Sequence, residues 1–284
     1  MVRQVENLGR KFHLPAIILA VLLVIAIGII LFPAIWMIFA SVRPVSETFG
    51  SPPAWLPRDI NFEAYREIFF DPRQQRYQFN TWFISLSTAV ISVGLGVMAA
   101  YGFSRFKIWG GEFILLAILA LQMLPGISIV IPFVRLARWA GIWDTYLAMI
   151  LADSAFALAI SIWLLKGYVD SIPRDLEEAA MVDGCNRFQA FYKIVLPLMA
   201  PGLVGTATFA FLYAWNDFIF ATVLRNGHEL MPMTVAIGNF FTSHSRDWVS
   251  IMALNTMATL PLIALFIFLQ RWVIAGMTAG AVKE

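Results

Sequence analysis

Three acids carry most of the chemistry this sequence offers. Asp153 and Asp217 each stand in a long run otherwise free of Asp, Glu, Lys and Arg. Glu178 opens a spaced pattern: Glu178-Ala179-Ala180, Gly184 after three residues, Ile194 after nine more, then Leu196-Pro197. An ionisable group at membrane depth costs a few kcal/mol to insert, so it faces a bundle interior or a water-filled path. Asp217, in Trp215-Asn216-Asp217-Phe218, reads either as a group on a transport path or as a carboxylate held by neighbouring backbone or by Asn216. Asp153, next to Ser154, poses the same choice. Gln122 precedes Pro125-Gly126, which should bend the third apolar run and suits a gate as well as plain packing; Pro132 offers a second bend. No GxxxxGK[ST] phosphate loop, HExxH, or Ser/His/Asp or Cys/His arrangement occurs, so the chain is expected to bind no ATP itself and to be no enzyme. His228 and His244 share one polar segment without cysteine or paired carboxylates, and no metal site is expected there.

The elements that must hold these groups are membrane helices. Hydrophobic residues make up 60% of the 284 and charged residues 13%, too few to cover a folded surface in water. A net charge of +2 gives no reason to expect a nucleic-acid partner. The single cysteine, Cys185, excludes an internal disulfide and reads as a small apolar filler. Six apolar segments exceed the roughly 20 residues needed to cross a bilayer: His13 to Arg43, Asn80 to Arg105, Glu112 to Arg135, Asp144 to Lys166, Lys193 to Arg225 and Asp247 to Arg271. Backbone groups in lipid need internal partners, which makes these segments helices; the alternating ten-residue strands of a barrel are missing. The first run exceeds a signal-peptide core and is expected to be a retained anchor.

The expected domain plan has a tail over 1–13, the anchor over 14–42, an external loop over 43–80, a five-helix core over 81–276 and a tail over 277–284. The loop, with Pro52-Pro53, Pro57 and an amphipathic stretch through Tyr65 and Ile68, suits a docking surface and a plain solvated loop equally. Lys and Arg favour cytoplasmic termini only weakly.

The Glu178 pattern lies between the fourth and fifth runs, in a segment 171–197 that reads as two short helices joined at a glycine. Ser171 is placed to cap the first, with Pro173 in its opening turn and Asp175, Glu177 and Glu178 at the positive end of its dipole. Gly184 suits a left-handed C-terminal position. Asn186 and Gln189 have capping-box spacing, and Pro197 interrupts the second piece. The outcome is a bent amphipathic elbow outside the bilayer.

With its glycine, isoleucine and Leu-Pro in register, this pattern resembles the EAA signature of membrane subunits of type I ABC importers. Met123-Leu124-Pro125-Gly126, Ile131-Pro132, Gly141-Ile142-Trp143-Asp144-Thr145, Trp215-Asn216-Asp217-Phe218, Gln270-Arg271-Trp272 and the end from Gly276 to Lys283 further resemble the smaller, six-span permease of the maltose-type carbohydrate group. The resemblance runs from about Asn80 onward. Glu284 stands where glycine is usual, and the Trp-Pro pair common after Phe218 is missing.

The resemblance implies an all-α integral membrane protein with six transmembrane helices and a cytoplasmic coupling elbow between helices 4 and 5. It also implies a bacterial or archaeal plasma membrane with both termini cytoplasmic. Partners would be a second homologous permease, two copies of an ATPase holding ATP and Mg, and an extracytoplasmic solute-binding protein. Coupling would fall to Glu178, Ala179, Ala180, Asp183, Gly184, Ile194, Leu196 and Pro197, with Glu178 meeting a basic residue and the two alanines thinning the docking face. Thr278, Gly280 and Lys283 would reach between the ATPase subunits, and the loop from Arg225 to Asp247 would project toward the binding protein. Gln122, Pro125, Asp153, Asn216 and Asp217 are the candidates for the translocation path or gate. The function implied is ATP-driven import of a sugar or sugar derivative. The alternatives are import of another solute by the same machinery and an ion-coupled carrier, whose internal repeats are not seen here.

Overall fold

The structure is a computed structural model that describes residues 13–44, Glu47, 56–243 and 247–279. Residues 1–68 with 244–257 form one compact unit, and 69–243 with 258–284 another.

In the first unit, α1 (His13–Ser41) is apolar on every side, with residues 17–34 exposed all round, as suits a helix bathed in lipid. Its end is tied to α2 (Glu63–Phe70). Ser41 Oγ lies 2.6 Å from the Tyr65 hydroxyl, and Asn61 N–H donates to the Val42 carbonyl at 2.7 Å. Asn61 also caps α2 through Glu63 N–H at 2.7 Å. The amphipathic stretch through Tyr65 and Ile68, expected as part of a loop, is therefore a helix.

In the second unit, α3 (Pro72–Arg105) starts eight residues before the apolar run suggests. Asp71 accepts from Arg73 N–H at 2.9 Å and Pro72 occupies the first turn. Arg73, Gln74, Gln75 and Arg76 extend the helix beyond its apolar core, and their polarity marks water rather than a loop. After α4 (Gly111–Leu121) and α5 (Gly126–Trp139) come α6 (Tyr146–Ser171), α7 (Arg174–Val182) and α8, which opens at Arg187–Ala190 and runs through a π-helical turn, Phe191–Val195, to Leu196–Leu198. Then follow α9 (Ala200–Trp215), the short α10 (Ile219–Val223), α11 (Met233–Ser243) and α12 (Trp248–Ala279), of which residues 248–257 belong to the first unit.

Four described helices are long and apolar enough to cross a membrane: α1, α3, α6 and α12. The other two expected spans are broken. α4 and α5 meet at 98° and α8 and α9 at 74°, so six spans result if each bent pair counts as one. The first break falls at Pro125, as the proline predicts, whereas α5 continues as helix through Pro132. The fifth span ends earlier than expected, with Asn216 closing α9 and Asp217 lying outside the helix. The last helix continues past Arg271 to Ala279.

The core is built by α3, α6 and α9. Asn80 of α3 accepts from the Tyr146 hydroxyl of α6 at 2.6 Å, and Ser104 donates to Asp170 at 2.5 Å. Both pairs are 66 residues apart in sequence, so α3 and α6 run parallel and in register for about 36 Å of helix at 1.5 Å per residue. Small residues permit the close approach: a Cβ on Gly96 would sit 3.1 Å from Ser161 Cβ. Outward, α3 presents Phe79, Phe83, Leu86, Val90 and Met98, an apolar face suited to lipid. α9 reaches α6 through Gly202, where an added Cβ would lie 2.6 Å from the Tyr168 ring; at Gly205 it would meet nothing within 4 Å. Gly202→Ala is expected to destabilise the protein by about 1–3 kcal/mol through overpacking. Gly205→Ala is expected to be neutral or stabilising, and thermal unfolding of the two variants in detergent checks the contrast.

Candidate functional site

The segment between α6 and α9 folds as the spacing predicts, two short helices turning at a glycine, but its first cap differs. Ser171 is the last residue of α6 and donates to the Tyr168 carbonyl at 2.7 Å, while Pro173 holds the cap position of α7 without a side-chain bond. Gly184 takes φ +92° with open space around it, so the requirement there is backbone conformation and not volume. The capping box at α8 is complete: Gln189 N–H donates to Asn186 Oδ1 and Asn186 N–H to Gln189 Oε1, each at 2.9 Å. Pro197 lies just after the π-helical turn, where Leu196 N–H reaches back to the Phe191 carbonyl, and the chain then bends into α9.

A single turn of α7 divides its acids between two faces. Consecutive residues point about 100° apart on a helix of 3.6 residues per turn, so Glu177 and Glu178 cannot face the same way. Glu178, Ala179, Val182 and Asp183 are not buried, whereas Glu177 and Ala180 turn inward. Ala180 therefore belongs to the packing of the elbow and not to its outer face, contrary to the expectation that both alanines thin that face. The outer surface is apolar around its acids: Val182 is 88% exposed and Phe188 73%. Ile194 and Leu196 are half-buried, Val195 is buried, and Pro197 is exposed. Cys185 is a partly buried free thiol whose N–H donates to the Ala180 carbonyl.

The sequence presents the inward acid, Glu177, only as a charge on the helix dipole. In the structure Glu177 Oε1 accepts from Arg105 Nε at 2.5 Å and Oε2 from the Tyr101 hydroxyl at 2.8 Å. The two charged side chains are 7% and 8% exposed. The remaining guanidinium nitrogens of Arg105 donate to the Ile172 carbonyl at 2.8 Å and to Ser104 Oγ at 3.0 Å. Arg174 donates to the Ser104 carbonyl at 2.8 Å, and Asp170 also receives Lys166 at 2.6 Å. The signals that point to this cluster are the first arginine after an apolar span and a doublet of acids on a short helix.

The candidates for a path or gate are placed unequally. Asp153 is 1% exposed inside the α3–α6–α9 core, and its Oδ1 has no hydrogen-bond partner. The Asp217 carboxylate accepts from Ala221 N–H at 2.8 Å and Phe220 N–H at 3.3 Å, so it caps α10, one of the two roles the sequence leaves open. Its own carbonyl accepts from Thr234 Oγ1 at 2.6 Å. Asn216 is exposed and donates to the Leu212 carbonyl at 2.7 Å, leaving Asp217 to the backbone. Gln122 sits at the 98° break beside exposed Pro125 and donates to the Phe156 carbonyl at 2.5 Å. Around that break Phe133, Phe220, Phe156 and Tyr213 form a chain of ring contacts 5.5 to 6.1 Å between centroids.

The start of the Arg225–Asp247 segment is pinned to α3, with residues 226–229 exposed. Asn80 Nδ2 donates to the Glu229 and Met231 carbonyls at 2.9 and 2.8 Å, and His228 Nδ1 lies 3.2 Å from the Tyr77 hydroxyl. The second half is α11, and His244 lies outside the described residues. No cluster of metal-ligating side chains occurs among the described residues. Thr278 is on α12 rather than in a tail, and Gly280 and Lys283 lie outside the described residues.

Residues 92–279 match the family described as the binding-protein-dependent transport system inner membrane component. The chain is 37% identical over 266 residues to the trehalose transport system permease protein SugB of Mycobacterium tuberculosis, covering 93% of this chain and 96% of that one. It is 33% identical over 277 residues to the trehalose/maltose transport system permease protein MalG of Thermococcus litoralis, covering 96% and 99%. Its fold matches a chain of a bacterial ABC transporter involved in import of the acidic polysaccharide alginate, with a TM-score of 0.78, 27% identity, and coverage of 92% and 97%.

The Asp217 geometry yields a direct test. Asp217→Asn keeps an acceptor for Ala221 N–H and is expected to insert and to retain α10. Asp217→Ala is expected to lose about 1 kcal/mol at this helix start. Hydrogen exchange at the Phe220 and Ala221 amides, faster in the alanine variant alone, checks this.

Proposed function

We propose, for a chain that belongs to the family of binding-protein-dependent transport system inner membrane components, the role of a sugar-importing permease coupled to a separate ATPase through its elbow. The chain is a transport component. ATP and Mg belong to two copies of a cytoplasmic partner, and a second homologous permease completes the pathway. An extracytoplasmic binding protein delivers a sugar or sugar derivative, the class named in the relatives above. The elbow and both termini are cytoplasmic, and Thr278, Gly280 and Lys283 lie close to the ATPase.

The observation that carries this reading is the outer face of the elbow. Glu178, Ala179, Val182, Asp183, Gly184 and Phe188 are exposed together on a segment fixed at both ends to apolar helices. An exposed acid amid apolar surface suits a partner groove with a basic residue at its floor. Closure of that partner on ATP then favours one arrangement of the spans and hydrolysis the other, which requires both ends to prefer the same global state. Gln122, Pro125, Asp153, Asn216 and Asp217 remain the proposed path and gate, with the bend at Pro125 as the movable element.

Glu178→Lys reverses the free charge without touching Glu177. Gly184→Asp enters open space but strains a left-handed position by about 1–2 kcal/mol. Both variants are expected to insert in the membrane, to lose co-purification with the ATPase and to lose ATP-driven sugar uptake in proteoliposomes. Uptake at the parent rate in both would remove the coupling assignment.

A further inference from the structure

The elbow is joined by the chain to α6 before it and to α9 after it. It has no such link to α3, whose cytoplasmic end lies 72 residues before Glu177. Yet the elbow grips α3 through several specific side-chain contacts. Arg105 spends its three guanidinium nitrogens on Glu177, the Ile172 carbonyl and Ser104. Tyr101 donates to Glu177, and its ring lies 4.7 Å from that of Phe191 in α8. The Arg187 guanidinium lies over the Phe106 ring at 5.5 Å. Ser104 adds the Asp170 contact to α6 and the Arg174 contact to α7. Both elbow helices therefore close on the last turn of α3.

Burial decides what this cluster does mechanically. An exposed ion pair breaks and reforms at little cost, but a pair whose side chains are 7% and 8% exposed leaves an uncompensated charge when it opens. Such a contact follows a displacement instead of yielding to it.

We propose that Arg105 and Glu177 are a positioning pair that makes α3 move with the elbow, so that a push on α7 reaches a third core helix through side chains alone. This inference rests on the coupling role proposed for the elbow. The two neighbouring acids then have separate roles, since Glu178 meets the partner while Glu177 passes the displacement inward. Tyr101 steadies the pair from the same helix face.

The test uses the complete transporter, with its second permease, ATPase and binding protein, in proteoliposomes. Glu177→Gln keeps the shape and removes the charge. It is expected to co-purify with the ATPase and to hydrolyse ATP, while sugar imported per ATP falls about tenfold. The exchanged pair, Arg105→Glu with Glu177→Arg, is expected to recover part of that ratio. An unchanged ratio in Glu177→Gln, or loss of ATPase co-purification, overturns the proposal; the second result would place Glu177 in docking. A separate arm needs no variant of the pair. Spin labels at Lys107→Cys and Lys193→Cys, in a Cys185→Ser background, report the distance between α3's end and α8. It is expected to stay within about 2 Å between the resting and ATP-trapped states, and a change of about 5 Å overturns the proposal. Failure of Glu178→Lys to disturb assembly would count against the elbow reading, whereas this distance speaks to the clamp alone.

Discussion

Every departure from straight helix in the apolar region of this protein has to satisfy its own backbone, because lipid supplies no partners. Short polar side chains do this at the breaks. Asp217 receives the first N–H groups of α10. Asn80, buried within α3, donates to two carbonyls of the segment before α11, and Thr81 Oγ1 accepts from Met233 N–H at 2.8 Å. Gln122 donates to a carbonyl of α6 beside the sharpest bend. These residues are polar islands in the sequence, and each costs free energy when buried alone. Paired with backbone, they supply hydrogen bonds beside the bend that ends α4 and where the chain leaves α9 and enters α11.

The elbow is held firmly for a related reason. A short helix such as α7, nine residues in length, has little stability of its own. It keeps its shape because one face is anchored: Glu177 to Arg105 and Tyr101, and Ala180 to the interior. Beside this anchor, Val97, Ala100, Leu165, Val169, Val195 and Met199 form an apolar cluster that brings α3, α6, the π-helical turn and the entry to α9 together. With the inner face committed, the outer face can remain apolar and acidic without collapsing onto the protein.

Much of this is legible in the sequence, for reasons that can be given residue by residue. Long runs without charge reveal spans because insertion energy depends on composition more than on partners. Gly184, Asn186 with Gln189, and Pro197 reveal the elbow because caps and breakers act locally. The start of α3 at Pro72 is hidden by Arg73 and Arg76, since a charge-based boundary marks the edge of lipid and not the end of a helix. Ser171 fails as a cap because Ile172 and Pro173 follow it: the chain is extended at Ile172, and the hydroxyl turns back to α6. The choice of Glu177 over Glu178 as the partner of Arg105, and the inward turn of Ala180, depend on which face of α7 meets α3, a tertiary fact with no local signature.

The α3–α6 interface shows where such a molecule can and cannot yield. Its ends are tied, at Asn80 with Tyr146 and at Ser104 with Asp170. Between them the hydroxyls of Ser85, Thr88, Ser92 and Ser154 are buried without hydrogen-bond partners. These small groups let the helices approach closely but add few specific bonds in the middle. Resistance to shear between α3 and α6 thus comes from the tied ends and from close packing. The interruptions near Pro125 and Met199 are different: the chain is already bent there by 98° and 74°, and proline has already removed a donor close to each. Bending there leaves the tied ends and close packing of the parallel pair intact. Under the coupling proposed for the elbow, a displacement would meet a stiff pair of rods flanked by two spans already broken, and physical economy places the deformation in the broken ones.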